Sequence, residues 1–137
     1  MSDARVCFPL LADPGDYQAC TWPLTENETR RAYWLGLFRR HFPMLLDEAV
    51  VEGLDRGVAE NDLKERSEAA REAFFAYLDE LEADPSAYGE LDILTICLKR
   101  EEVLRAHAFD DPYRLAKKRE NDAALAGLGQ RLRDLAA

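Results

Sequence analysis

Cysteine and histidine are scarce in this 137-residue chain, with three of the first and two of the second. Cys7, Cys20 and Cys97 lie far apart and form no Cys-x-x-Cys pair. An odd count without a spacing pattern argues against a disulfide framework and against a structural zinc site. Reduced thiols and a cytoplasmic location are the expectation. Neither His41 nor His107 has a Ser or Cys at a spacing that suggests a nucleophilic triad. There is no Glu-x-x-His pair for a di-metal helical bundle, and no glycine loop to cradle a phosphate. No apolar run approaches the roughly 20 residues of a membrane span. Met1 to Leu11 has neither the basic start nor the apolar stretch of a signal peptide. Strand-type alternation of useful length is also missing, as is any internal repeat.

What is present is charge and apolar surface at helical spacing. Hydrophobic residues make up 47% of the chain and charged residues 33%, enough of the first for a real core. The formal net charge is -9, from 18 bases and 27 acids. An acidic chain repels phosphate backbones, so no nucleic-acid partner is expected. The charge is uneven: Met44 to Asp92 holds 15 acids and 4 bases, whereas Pro112 to Ala137 holds 6 bases and 3 acids. An anionic ligand would favour the carboxy-terminal part.

The pattern predicts an all-α, multi-helix domain over residues 1–137. Residues 1–24, with Pro9, Pro14, Gly15 and Pro23, read as an extended leader anchored by Val6, Phe8, Leu10, Leu11, Tyr17 and Trp22. A helical bundle is expected over 25–126. Thr25 to Glu28 has the form of a capping box that opens the first helix. Pro43 is expected to end that helix and start a second. An amphipathic segment runs from Asp62 to Ala83, and Asp84-Pro85 and Asp111-Pro112 resemble helix entries. Another helix is expected from about Glu90 to Ala106, and the last one to about Ala126. Gly127 and Gly129 then loosen it into a tail over 127–137. Trp34, Leu37, Phe38, Phe74, Tyr77, Leu78, Ile93, Ile96 and Leu104 form the expected core.

The most suggestive polar group is Lys117 with Asn121. They are four residues apart and share one face of the last helix, which continues to Ala124 and Leu128. Lys neutralises an anion, and Asn both donates and accepts, so a phosphate suits the pair. Residue types alone favour the simpler alternative, a solvated cation beside an Asn that bridges backbone. No catalytic residue and no metal ligand emerges.

Several strings together resemble the amino-terminal helical region of the damage-control phosphatase family, on the branch of the atypical pantothenate-kinase-like 4′-phosphopantetheine phosphatases. They are Phe8-Pro9-Leu10-Leu11, Arg31-Ala32-Tyr33-Trp34-Leu35, Pro85 to Leu91, Arg100-Glu101-Glu102 and Phe109-Asp110-Asp111-Pro112-Tyr113, followed by Lys117 and Asn121. The resemblance implies part of a metal-dependent hydrolase acting on phosphorylated metabolites, either 4′-phosphopantetheine-like compounds or sugar phosphates. It implies a divalent metal (Co, Ni, Mn or Mg) in the complete enzyme but no cofactor held by this chain. The metal ligands would lie in a Rossmann-like α/β catalytic domain or split subunit, which is the expected partner and is absent here. Lys117 and Asn121 are the residues it places near substrate. The alternative is a non-catalytic helical binding or regulatory module with the same fold.

Overall fold

The computed structural model describes residues 21–136, and they are all-helical apart from short connections. The order is α1 (Glu28–Asp55), α2 (Glu60–Ala83), α3 (Ile93–Ala106) and α4 (Arg114–Ala136). None of these helices is long and apolar enough to cross a membrane. Most of the expected leader, with Val6, Phe8, Leu10, Leu11 and Tyr17, lies outside the described residues. Trp22, expected to be buried, is exposed, with the Arg30 guanidinium 4.6 Å from its ring centre.

The start of α1 differs from the expected capping box. Asn27 is the cap, its Oδ1 accepting from the Arg30 amide at 2.9 Å. The Thr25 hydroxyl is engaged elsewhere and accepts from the Leu91 amide at 2.8 Å. Leu24 donates from its amide to the Leu91 carbonyl at 2.7 Å, beside an isolated antiparallel bridge between Pro23 and Asp92. These long-range bonds bury Leu24 and Leu91 completely or nearly so. Arg31 reinforces the junction by donating to the Leu24 and Thr25 carbonyls.

Pro43 does not end the helix, because α1 continues through it to Asp55. Proline lacks the amide that would serve the Arg39 carbonyl, a loss of about 3 kcal/mol in a helix interior. The offset is one continuous buried stripe, Leu35, Phe38, Phe42, Leu45, Leu46 and Ala49, which a break would misalign. Each leucine and phenylalanine in it contributes roughly 1.5–3 kcal/mol on full burial. At Arg56 the helix stops where Gly57 takes φ +83, and the amides of Gly57 and Val58 return to the carbonyls of Leu54 and Gly53. That left-handed residue suits glycine and closes the helix end.

The short connection folds α2 back along α1. A Cβ on Gly53 would collide with the Leu63 side chain, so the two helices cross closely there. At the other end Arg39 donates from Nη2 to Asp79 and Glu82 of α2, at 2.6 and 2.9 Å. Between these points Phe74 sits 4.4 Å from Phe42 and 6.2 Å from Phe38, centroid to centroid. α3 completes the core with Ile96, Val103 and Leu104.

Of the expected core, Phe38, Phe74, Tyr77, Leu78, Ile96 and Leu104 are buried, and Trp34 and Ile93 pack partly exposed against them. Leu37 is half-buried. Asp84-Pro85 does not open a helix. Asp84 Oδ1 accepts from both the amide and the hydroxyl of Ser86, which makes a turn, and Gly89 adopts φ +96. α3 instead begins after Asp92, whose Oδ1 accepts from the Thr95 amide at 2.7 Å. α4 does not fray at Gly127 and Gly129 but runs to Ala136. Two glycines cost it about 1 kcal/mol each relative to alanine. Side-chain bonds from Gln130 to Asp134 and from Arg133 to Gln130 brace the last turns.

Phe74 is fully buried at the meeting point of α1 and α2. Phe74→Ala should lower stability by about 3–5 kcal/mol, read as a fall in the denaturant midpoint without a change in slope. A loss below about 1 kcal/mol is the size of a surface substitution and would contradict this packing.

Two tyrosines add a pH dependence. Burial pushes the Tyr77 hydroxyl above its ordinary range, with the neighbouring Tyr88, Glu102 and Asp92 adding to it. A hydrogen bond to Glu80 does the same for Tyr88. Both folded values lie above the unfolded ones, so their stabilisation is complete below a pH of about 10 and is lost as pH rises through the folded values. The variant carrying Tyr77→Phe and Tyr88→Phe should therefore lose less stability than the parent between pH 9 and 11. Parallel curves would exclude this account.

Candidate functional site

The segment joining α3 to α4 is held by burial at two points, Phe109 and Pro112. α3 ends with Ala108 at φ +60, where the amides of Ala108 and Phe109 return to the carbonyls of Arg105 and Leu104. This is the glycine-type helix end built on an alanine, and it turns Phe109 into the core. Arg114 then donates its amide to the Asp111 carbonyl and Lys117 to that of Tyr113, which starts α4. The Asp111-Pro112 entry is thus close to its expected place.

The first turn of α4 is fixed by charge. Arg114 donates from Nε to Glu52 Oε1 and from Nη2 to Asp55 Oδ2, both at 2.6 Å. Glu52 is the one buried charged residue among the described ones, 6% exposed. Its carboxylate also faces Arg56 at 3.8 Å. The bonds to Glu52 and then Asp55 hold the Arg114 guanidinium above its ordinary pKa. Beyond this turn α4 buries no residue.

Lys117 and Asn121 both lie on the exposed surface of α4. Lys117 Nζ donates to Asp111 Oδ2 at 2.7 Å, so its charge is met within the loop that precedes the helix. Lys118 is similarly paired with Asp122 at 2.6 Å. The same helix exposes Leu125, Leu128, Leu132 and Leu135. Their three-four-three spacing continues the ridge on which Asn121 sits.

Beside the start of α4, Tyr113 closes a groove of about 210 Å³ against Phe38, His41, Phe42, Met44, Leu45 and Glu48 of α1 and Arg100 of α3. Sequence reasoning missed this groove and the Arg114 clamp. Glu52 and Arg114 are 62 positions apart, and no local pattern joins them. Arg100 and Tyr113, by contrast, come from two of the strings that carry the family resemblance.

A divalent metal does not fit the described residues. Among them no group of three or more His, Cys, Asp or Glu side chains is placed to hold an ion. The carboxylates around the first turn of α4, Glu52, Asp55 and Asp111, are engaged by Arg114 and Lys117.

The geometry defines an all-helical module with one unpartnered helix and no metal centre among the described residues. No protein-family model matches the chain. It is 43% identical over 128 residues to a protein of Arabidopsis thaliana named pantothenate kinase 2, covering 93% of this chain and 14% of that protein. A 4′-phosphopantetheine phosphatase of Mus musculus is 35% identical over 88% of this chain and 14% of its own length. A damage-control phosphatase of Arabidopsis thaliana is 28% identical over 88% of this chain and 34% of its own length. The chain thus resembles a part of proteins named pantothenate kinase 2, 4′-phosphopantetheine phosphatase and damage-control phosphatase. It spans 14% of the length of the first and second of these relatives and about a third of the last.

The clamp predicts a local rather than global effect. In Arg114→Ala, hydrogen exchange in the first half of α4 should accelerate by on the order of tenfold while the α1 and α2 amides stay protected. Arg114→Lys should restore little of it, because an ammonium does not span both carboxylates as the guanidinium fork does. Unchanged exchange in α4 would show that Phe109 and Pro112 alone set its position.

Proposed function

We propose that the chain is the helical part of a metal-dependent damage-control phosphatase that hydrolyses phosphorylated metabolites, of the 4′-phosphopantetheine or sugar-phosphate class. The metal ligands belong to an α/β catalytic part, as a second domain or a split subunit, and the location is cytoplasmic. The observation that carries this reading is α4 itself. A 23-residue helix with four exposed leucines on one ridge and no buried residue is an interface awaiting cover. The much greater length of the relatives supports the same conclusion. The α/β part is the occupant proposed for the leucine ridge.

In this arrangement the leucine ridge docks and brings the partner's phosphate site alongside Lys117 and Asn121. Lys117 exchanges Asp111 for a phosphoryl oxygen, a short displacement for a flexible ammonium. Asn121, one turn further on, donates its amide to substrate or holds Lys117 in place. The helices contribute binding and orientation.

The test is complementation. The chain alone should show no metal-dependent turnover of p-nitrophenyl phosphate or 4′-phosphopantetheine with Co²⁺, Ni²⁺, Mn²⁺ or Mg²⁺. Adding the α/β domain of a close relative should restore activity. Lys117→Ala and Asn121→Ala should then lower it by roughly 10-fold or more, the size of one lost charge-assisted hydrogen bond, without unfolding the helices. Robust turnover by the repurified chain alone would overturn the division of labour. Full complementation by both variants would return the pair to a structural role. Failure of every α/β partner to complement favours a non-catalytic binding or regulatory module.

A further inference from the structure

Where the described residues begin, the chain is already aimed along α3. Pro23 pairs antiparallel with Asp92, so the residues before Pro23 run beside those after Asp92. Leu24 donates to the Leu91 carbonyl just behind that pair, and Thr21 shares a surface hollow with Pro23, Glu90 and Asp92. Asp92 is the cap of α3. Passing from Thr21 to earlier residues therefore leads along the first turns of that helix.

Those turns carry an uncovered apolar face. Leu94 and Leu98, four apart on α3, are both exposed, Leu98 by 62%. Beside Leu98 lies a groove of about 310 Å³ walled by Tyr77 and Tyr88, whose ring centres are 5.4 Å apart. The Tyr88 hydroxyl is held by Glu80, which fixes that wall in place. On the rim Lys99 donates to Glu102 at 2.8 Å, so the groove offers no net charge. A neutral, tyrosine-walled groove suits an uncharged segment that carries proline and apolar side chains.

Such a segment stands upstream in this chain, before the described residues. Val6 to Ala12 is uncharged and holds Phe8, Pro9, Leu10 and Leu11 in succession. Nine residues, 12–20, separate Leu11 from Thr21. They span at most about 30 Å, whereas Leu98 lies only about 7.5 Å from the start of α3. The slack includes Asp13-Pro14-Gly15-Asp16, the residue order of a type II turn, which returns a chain on itself. The leucine ridge of α4 is far from this line. It is fastened near Glu52, at the other end of a 28-residue helix about 40 Å long.

We propose that Phe8-Pro9-Leu10-Leu11 docks in the groove between Tyr88 and Leu98 of the same chain. Pro9 lies against the tyrosine rings, and the two leucines cover Leu94 and Leu98. Burial of exposed apolar surface drives the contact, and the short tether makes even a weak contact sufficient. The clip between Leu24 and Leu91 thereby continues as a strap across the outer side of α3.

The experiment uses the ¹⁵N-labelled full chain with Cys20→Ser and Cys97→Ala, so that a nitroxide is placed on Cys7 alone. Amide peaks of Tyr88, Thr95, Leu98 and Glu102 should fall at least fivefold against the reduced label, and those of residues 125–136 should not. Leu98→Glu, at an exposed position, should restore the lost intensity while circular dichroism stays that of the parent. In the chain with every cysteine kept, Leu10→Asp should move the same resonances, which covers a cysteine variant that does not fold. Undiminished peaks around the groove, loss centred on α1 or α4 instead, or resonances unmoved by Leu10→Asp each overturn the proposal. Mixing nitroxide-bearing chain without ¹⁵N with ¹⁵N chain lacking nitroxide tests for a second copy. Intact peaks in the mixture support docking within one molecule. Broadening at the groove gives it to a neighbouring molecule and overturns the proposal.

Discussion

The carboxylate of Glu52, buried near the end of α1, is the point on which the arrangement of the candidate site turns. A buried carboxylate is costly unless it is met by charge-assisted hydrogen bonds, and here Arg114 meets it across 62 positions of sequence. The requirement runs in both directions. Glu52 needs the guanidinium, and the guanidinium fork, taking Asp55 at the same time, fixes the direction in which α4 leaves the body. Tyr113 precedes that arginine and closes the groove, and Lys117 follows it, paired with Asp111. One ion-paired junction therefore orders both ends of the candidate site.

The aromatic cluster around Phe74 performs a different task. It joins α1 to α2 through side chains that must all face one way, which is why the stripe on α1 overrides Pro43. The electrostatics follow the same division. Arg39 with Asp79 and Glu82 lies at the exposed end of the helix pair and adds little to stability, as solvent-facing ion pairs do. The Arg114 clamp reaches a buried partner and so acts on geometry.

Period and composition made the class of fold legible, because apolar residues at helical spacing leave little room for strands. They also located α2 and α3 within a few residues, and most of the core with them. Errors arose where a local signal competes with a distant one. Thr25 carries every local mark of a cap, but its hydroxyl is claimed by Leu91, 66 positions away, and Asn27 takes the role. Pro43 is a local stop overruled by packing, and Gly127 and Gly129 weaken α4 without ending it. The polar pair Lys117 and Asn121 was visible from its spacing. Its surroundings were not, because the groove is built from three elements and the clamp from two.

The way α4 is fastened has a mechanical consequence. It is a beam about 34 Å long at 1.5 Å per residue, fixed at one end by the turn that contains Arg114. A tilt of about 10° about that fulcrum displaces Leu135 by about 5 Å, but Lys117, about 4.5 Å along the beam, by less than about 1 Å. The far end sweeps a wide arc while the ammonium near the pivot hardly leaves its place. Freedom at the tip and a nearly fixed base thus reside in the same helix, separated only by distance from its hinge.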